Sequence, residues 1–307
     1  MSHKKVVFMG TPKFSIPILE TIAKSPYKVS CVYTQAPKKS NRGQKINTSP
    51  IQKCAENLNL VVRNPKNLNS AEEFNFIKKL KPDIVLVVAY GQLISKSLLN
   101  LPKEGFINIH ASLLPKWRGA APIQRSIMNS DAETGISIMK IVENLDAGPI
   151  IKKIKIKIDK SFTAEKISKN LSKISSESII EILDNIFNKK SQLIEQNHKF
   201  ATYAKKIKKN EAEINWNNSA KKILAKINGL NPSPGAWFKY KDKRYKIWRA
   251  TTNEMKGFPG TILDKNFIVA CGDKSLEFIE IQKEGKNKLL LKNFLMGVKF
   301  KQGDMLK

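Results

Sequence analysis

The sequence has little cysteine and no long apolar run. Its three cysteines, Cys31, Cys54 and Cys271, lie far apart and form no Cys-x-x-Cys pair. This spacing argues against a disulfide framework and against a zinc site, so we expect reduced thiols. No apolar stretch approaches the roughly 20 residues of a membrane-spanning helix, and no signal-peptide pattern opens the chain. We therefore expect a cytoplasmic protein without membrane segments.

Acidic residues are scarce relative to basic ones. The 307-residue chain carries 55 Lys and Arg against 26 Asp and Glu, a formal net charge of +29. An excess of this size is typical of proteins that bind polyanions, most often nucleic acid. The chain is also rich in Lys, Ile and Asn, and an AT-rich genome would raise the lysine content without any such function. Composition alone leaves both explanations open.

Two familiar motifs are missing. The first predicted strand is followed by Gly10, Thr11 and Pro12, not by the Gly-x-Gly-x-x-Gly of dinucleotide-binding proteins, so NAD or FAD is not expected. No Gly-x-Ser-x-Gly elbow occurs, so no serine nucleophile of that type is expected. Any catalysis by this protein is therefore expected to use neither a dinucleotide cofactor nor a serine nucleophile of this type.

The first half of the sequence alternates strand and helix patterns. Apolar runs such as KKVVFMG and DIVLVVAYG predict buried strands, and segments with helical spacing such as SAEEFNFIKKLKP lie between them. This rhythm predicts a Rossmann-like, doubly wound and mostly parallel sheet. Ligands of such sheets bind beyond the carboxyl ends of the strands, here after Gly10, Gln35, Tyr90 and His110.

The pattern changes after a long amphipathic helix that is predicted within residues 163–190. Residues 191–209 are polar with little periodicity, which is typical of a linker. Beyond them, short strands separated by Gly, Pro, Asp and Asn predict a small, basic, OB-like β-barrel. With 41% hydrophobic residues the chain can bury two cores. We therefore predict an α/β domain over 1–190, a linker over 191–209 and a barrel domain over 210–307.

One predicted strand carries two polar residues on one face. Asn108 and His110 lie two residues apart in FINIH, and side chains at i and i+2 of a strand point to the same side. An amide NH2 and an imidazole N–H can both donate to a developing oxyanion, and imidazole exchanges protons near neutral pH. A buried core histidine with a supporting amide is the alternative. The loop ASLLPKWRG that follows favours a functional site.

A carboxylate would be needed to orient this imidazole. Asp146, in ENLDAGPI, lies in a predicted turn between two strands of the same region. Aspartate followed by small residues is also common in ordinary turns, and spacing alone does not separate the two interpretations. The residues favour a tetrahedral intermediate that Asn108 and His110 stabilise and that the substrate's own nucleophile creates.

The segment INIHASLLPKWRGAAPIQRSI, with VVAYG before it and LDAGPI after it, resembles the formyltransferases that use 10-formyltetrahydrofolate. GTPKFSIPIL, the basic segment QAPKKSNRGQKINTSP and the C-terminal barrel extend the resemblance over the whole chain, toward family members that act on tRNA. The resemblance implies an enzyme that transfers the formyl group of this co-substrate to the free amine of methionyl-initiator tRNA in translation initiation. It implies no metal ion and no membrane partner, and a monomer is the default expectation.

The resemblance also implies roles for individual residues. Asn108, His110 and Asp146 match the catalytic residues of the family. The folate-binding residues of the family match two segments of this sequence. They match the loop after His110, with Ser112, Leu113, Leu114 and Pro115, and the end of the preceding predicted strand, with Tyr90 and Gly91. The loop over 34–50 matches the insertion that reaches the tRNA acceptor end, through Arg42 above all and through Lys38, Lys39 and Lys45. A solvated, lysine-rich turn is the alternative for that loop.

Three other functions remain compatible with the sequence. The first is a family member that formylates a small amine, such as a nucleotide-linked sugar or a glycinamide ribonucleotide, although the basic second domain argues against it. The second is a hydrolase of formyltetrahydrofolate, in which water replaces the amine. The third is a non-catalytic RNA-binding protein, which leaves the pairing of Asn108 with His110 unexplained.

Overall fold

The computed structural model describes residues 4–40, 45–298 and 300–307. The chain divides into two compact units. The first unit comprises Met1–Gly119, Gly135–Ile156 and Ser168–Tyr203. The second unit comprises Ala120–Thr134, Lys157–Ile167 and Ala204–Lys307. The domain boundaries at residues 190 and 210 stay a prediction.

The α/β part of the chain alternates strands and helices as its sequence pattern predicts. Its strands are β1 (Lys5–Gly10), β2 (Lys28–Tyr33), β3 (Lys38–Ser40), β4 (Lys45–Asn47), β5 (Val62–Arg63), β6 (Ile84–Val88), β7 (Phe106–His110), β8 (Arg118–Gly119), β9 (Glu133–Lys140) and β10 (Ile150–Lys157). Its helices are α1 (Ile16–Ala23), α2 (Pro50–Asn57), α3 (Ala71–Leu80), α4 (Lys96–Leu99), α5 (Pro122–Met128) and α6 (Ala164–Phe187).

A mixed sheet with mostly parallel strands forms the core of the first unit. In the described residues its strand order is β10-β9-β7-β6-β1-β2-β5. Within this order, the neighbouring strands β7, β6, β1, β2 and β5 all pair in parallel. Among the pairings whose register is defined, only that between β7 and β9 is antiparallel. Strand β6 is buried along its whole length, which explains its continuous apolar sequence. The predicted fold class is confirmed for this unit.

Local capping explains where two of the helices begin. The Ser49 hydroxyl accepts a hydrogen bond from the Gln52 amide, and Pro50 occupies the first turn of α2. The Ser70 hydroxyl caps α3 in the same way. Helix α3 also has acidic residues in its first turn and lysines in its last, an order that the helix dipole favours.

The second unit contains a curled antiparallel sheet. The remaining elements of the chain are β11 (Tyr203–Ala204, which starts in the first unit), α7 (Ala220–Gly229), β12 (Ala236–Tyr240), β13 (Lys243–Asn253), β14 (Ile268–Ala270), β15 (Ser275–Lys283), β16 (Leu289–Leu290) and α8 (Leu291–Gly297). The sheet runs in the order β12-β13-β15-β14, and β16 pairs with β15. An aromatic cluster that includes Trp216, Phe238 and Phe278 forms part of the buried core of this unit. This half-barrel confirms the predicted barrel-like second fold.

The three cysteines are separate thiols, as their spacing predicts. Cys31 and Cys271 are buried, Cys54 is half-buried, and none of them forms a disulfide. Burial raises the pKa of Cys31 and of Cys271 to about 12. Both thiols are therefore protonated and unreactive near neutral pH. In the described ranges, no helix combines the length and the apolar character needed to cross a membrane.

Candidate active site

His110 lies at the carboxyl end of β7, and only 6% of its side chain is exposed. Its Nε2 atom is 2.9 Å from the carbonyl oxygen of Trp117. A carbonyl oxygen only accepts hydrogen bonds, so Nε2 carries a proton in this arrangement. The second ring nitrogen, Nδ1, is then the atom available for proton exchange, and it faces Oδ2 of Asp146 at 3.6 Å.

Asp146 is held in place by the backbone. Its Oδ2 atom accepts a hydrogen bond from the Gly119 amide at 2.7 Å. Its own φ is +46°, in the left-handed region that aspartate tolerates better than most residues. The structure therefore brings Asp146 to His110, an arrangement that spacing in the sequence did not decide.

Asn108 precedes His110 by two residues on β7 and is half-buried. Opposite them on β9 lie Met139 and Ser137, in antiparallel register. The side-chain amide of Asn108 makes no hydrogen bond to the residues that the structure describes. Its donors and its acceptor are therefore available to a substrate.

The loop after His110 is closed by serine hydroxyls. Ser112 is fully buried, and its Oγ donates to the Lys116 carbonyl at 2.6 Å. Ser137, from β9, donates to the Ser112 carbonyl at 2.8 Å and accepts from the Leu114 amide at 3.0 Å. Ser137 was not among the predicted site residues, because its only sequence signal is a lone serine within the apolar run of β9, which has no periodicity. Leu114 is buried, and Leu113 is half-buried.

The other residues matched to folate contacts occupy different environments. Pro115 is half-buried, whereas Tyr90 is 1% exposed, with its ring in the core of the first unit. Thr11 directly follows β1, and its hydroxyl donates a hydrogen bond to the Tyr90 carbonyl at 2.9 Å. The backbone of Tyr90 therefore lies at the carboxyl ends of the strands. Gly91 has a φ of +86°, and an added Cβ would lie 2.4 Å from Nε2 of Gln35. Only glycine fits this turn without strain.

The basic loop is described in part. Lys38 and Lys39 belong to β3 and Lys45 to β4, and these strands pair in antiparallel register. Arg42 lies outside the described residues. The tRNA contacts expected of these four residues stay predictions.

A second polar network, which was not predicted from the sequence, lies behind Asp146. Gln196 and Arg118 are both buried and hydrogen-bond each other at 2.7 Å. Gln196 also donates to the carbonyls of Asp146 and Gly148 at 2.8 Å each. Residues 191–209 are predicted to be a linker because they lack periodicity, and a single buried amide in such a segment leaves no periodic signal.

The site therefore offers hydrogen-bond donors and a proton carrier. Among the described residues, no group of three or more His, Cys, Asp or Glu side chains is arranged to hold a metal ion. Asn108 and His110 lie where an oxyanion could be bound, and Asp146 can stabilise a positive imidazolium. These groups suit a reaction that passes through a tetrahedral intermediate.

Comparisons with known proteins point in one direction. The family model described as formyl transferase matches residues 4–183, and the model for the formyl transferase C-terminal domain matches residues 206–299. A methionyl-tRNA formyltransferase of Pelagibacter ubique is 53% identical over 305 residues, which is 99% of this chain and 98% of the relative.

Solved structures share the fold at lower identity. A methionyl-tRNA formyltransferase from Clostridium thermocellum has a TM-score of 0.60 at 21% identity, over 83% of this chain and 96% of that one. HypX from Aquifex aeolicus in complex with tetrahydrofolic acid has a TM-score of 0.65 at 18% identity. That match covers all of this chain but spans only 51% of HypX.

Proposed function

Since this chain belongs to the formyl transferase family, we propose that it transfers the formyl group of 10-formyltetrahydrofolate to the free amino group of methionyl-initiator tRNA. The observation that carries the proposal is the pairing of His110 with Asp146 beside the available amide of Asn108. The full-length likeness to a methionyl-tRNA formyltransferase supports the choice of acceptor. In this proposal the enzyme acts in translation initiation, in the cytoplasm and as a monomer.

The proposed reaction begins with attack of the methionyl amine on the formyl carbon. The new N–C bond forms as the C=O double bond becomes a single bond, and the oxygen takes the negative charge. The Asn108 amide and the Nδ1–H of protonated His110 donate to this oxyanion. Removing one such donor typically lowers the rate by roughly 10²–10³. The C–N10 bond of the folate then breaks, which restores the carbonyl.

The proton moves through Nδ1 of His110. Protonated His110 gives its Nδ1 proton to the leaving N10, and the neutral Nδ1 then takes the proton that the attacking nitrogen must lose, which regenerates the imidazolium. Nε2 is held by the Trp117 carbonyl, so it keeps its proton throughout the cycle. Asp146, at 3.6 Å from Nδ1, stabilises the imidazolium and orients its ring. A free α-amine has a pKa of about 7.7–8.0, and the ester bond that links methionine to tRNA lowers this pKa, which increases the neutral fraction of the nucleophile near pH 7.

Folate would lie at the carboxyl ends of β6 and β7, where parallel sheets bind their ligands. We propose contacts with the loop that the Ser137 hydroxyl closes and with the turn at the end of β6. The residues are Ser112, Leu113, Leu114, Pro115, Tyr90 and Gly91. Because the Tyr90 side chain is buried, its proposed contact is made by backbone atoms.

Charge in the second unit supports tRNA as the partner. On the β12–β13 hairpin, Lys239 lies directly opposite Arg244, and both side chains are exposed. Their cationic groups lie 6.0 and 3.9 Å from the ring centroid of Trp237. Like charges directly opposite each other destabilise a sheet, so an anion such as an RNA phosphate would relieve the repulsion. Arg42, Lys38, Lys39 and Lys45 are proposed as contacts for the acceptor end.

The test is formyl transfer from 10-formyltetrahydrofolate to charged initiator tRNA, with the wild type and His110→Ala compared. We expect turnover that falls at least 100-fold in the variant while its folding is unchanged. Formyl transfer to a small amine but not to tRNA would show that the enzyme belongs to the family members with small-amine acceptors. Formate release without any acceptor would make it a hydrolase, and full activity of His110→Ala would exclude the proposed centre.

A further inference from the structure

The two groups that face the ring of His110 are both carried by left-handed backbone. Trp117, whose carbonyl contacts Nε2, has a φ of +64°, and Asp146, which faces Nδ1, has a φ of +46°. A positive φ is costly for a bulky residue such as tryptophan and persists only where the surroundings enforce it. Something outside these two loops must therefore hold both of them.

Thr202 holds the first loop. Its carbonyl accepts from the Arg118 amide at 2.8 Å, and its hydroxyl accepts from the Trp117 amide at 2.9 Å. The Arg118 N–H and the Trp117 C=O belong to one planar peptide and point in opposite directions. Fixing the N–H on Thr202 therefore aims the carbonyl toward His110.

Gln196 holds the second loop. Its side chain is 5% exposed, and both N–H bonds of its amide are used, on the carbonyls of Asp146 and Gly148. Its Oε1 accepts from Nη2 of Arg118 at 2.7 Å and from Nε at 3.3 Å. A single amide thus links the Asp146 turn to the residue that follows Trp117.

Arg118 anchors this link from the side of the first loop. Its guanidinium is 4% exposed, and in the described part of the chain it forms no ion pair with a carboxylate. It contacts Gln196 and, at 2.9 Å, Nδ1 of His198. Upstream, Ile194 exchanges backbone hydrogen bonds of 2.8 and 2.9 Å with Ile150 of β10. The segment 194–202 is therefore attached at several points along its length.

We propose that the segment 194–202 is a positioning strap for His110. Thr202 aims the Trp117 carbonyl that keeps the proton on Nε2, and Gln196 keeps the Asp146 turn beside Nδ1. Neither residue touches the reacting atoms, so both act through their neighbours. The expected effect on catalysis rests on the proposed function, whereas the positioning of Trp117 and Asp146 does not.

Three substitutions and one control separate positioning from general folding. Gln196→Met keeps the size of the side chain and removes every hydrogen bond that it makes. Thr202→Val removes only the hydroxyl that accepts from Trp117, and Thr202→Ser restores it. Gln192 is exposed two residues before the strap and makes no hydrogen bond within the described chain, so Gln192→Met is the matched control.

We expect Gln196→Met to lower kcat for formyl transfer by about 10–100-fold, while KM for tRNA and for the folate changes less than about threefold. Thr202→Val lowers kcat less, by several-fold, and Thr202→Ser restores it. The measurement compares samples whose folded fraction, from thermal unfolding, is the same. Activity equal to that of Gln192→Met, or a loss confined to KM, would overturn the proposal.

Hydrogen exchange of the Gly119 amide provides a readout that needs no turnover. This amide donates to Asp146, so its exchange reports whether the carboxylate stays in place. We expect Gln196→Met to accelerate exchange at Gly119 at least tenfold, and Gln192→Met to leave it unchanged. Unchanged exchange in Gln196→Met overturns the strap. An inactive wild type with accelerated exchange in the variant refutes the proposed reaction but supports the strap.

Discussion

The Nδ1 atom of His110 lies 3.6 Å from Oδ2 of Asp146, slightly beyond hydrogen-bonding distance. The same oxygen is already bound by the Gly119 amide at 2.7 Å. Asp146 therefore has two roles. Its carboxylate oxygen accepts a hydrogen bond from the Gly119 amide, and its negative charge lies beside the ring of His110. These two roles can be separated by substitution.

Asp146→Asn is expected to keep the first role and lose the second. An amide oxygen can still accept from Gly119, but it gives an imidazolium no charge stabilisation. We expect kcat to fall by on the order of 10²-fold or more, with little change in the free energy of unfolding. Steady-state kinetics and thermal unfolding measure the two effects. A variant that loses activity only in proportion to its stability would contradict the charge role.

Asn108→Ala is expected to lower kcat by roughly 10²–10³, because it removes a donor to the oxyanion. Asn108→Asp should be slower still, since a carboxylate would repel the developing negative charge. KM for both substrates should change little. Asn57→Ala, at an exposed position at the end of α2, is the control. Equal activity of Asn108→Ala and this control would exclude Asn108 from the reaction.

Arg244→Ala is expected to weaken tRNA binding and to flatten its dependence on salt. Each phosphate contact contributes a slope of about −0.9 to the plot of log affinity against log salt for duplex nucleic acid. Losing one contact should reduce the slope by roughly that amount, with kcat unchanged. The exposed Lys173, which pairs with Glu177 on α6, supplies the control Lys173→Ala. A parallel drop in affinity at every salt concentration would argue against a phosphate contact.

Glu73 should make stability depend on pH. Burial alone would raise the pKa of its carboxyl, but hydrogen bonds from Arg63 and Tyr33 outweigh it and hold the pKa below its usual range. A lowered folded-state pKa stabilises the protein above the unfolded-state pKa, and this contribution is lost as the pH falls through the folded-state value.

Glu73→Gln should therefore destabilise the protein by about 1–3 kcal/mol at pH 7, and the difference from wild type should shrink below about pH 4. Denaturant unfolding at several pH values measures this. Glu72, which binds the same Arg63 but is largely exposed, provides the control Glu72→Gln. A difference that stays constant between pH 7 and pH 3 would show that the charge of Glu73 is not responsible.

Sequence patterns predicted the fold because they are local. The apolar run of β6, the capping residues of α3 and the short strands of the second unit each depend on neighbours within a few residues. The same reasoning placed Asn108 and His110 on one face of β7. Neither Ser137 nor Gln196 was predicted, because a single polar residue in a strand or in a polar segment has no periodicity.

The sequence by itself determined the order of the elements and the residue types that could bind an oxyanion. Only the tertiary structure decided which group faces each nitrogen of His110, because those contacts join loops far apart in the chain. Trp117 and Asp146 adopt left-handed backbone that local preference disfavours. That conformation depends on Thr202 and Gln196, which the path of the chain brings to them.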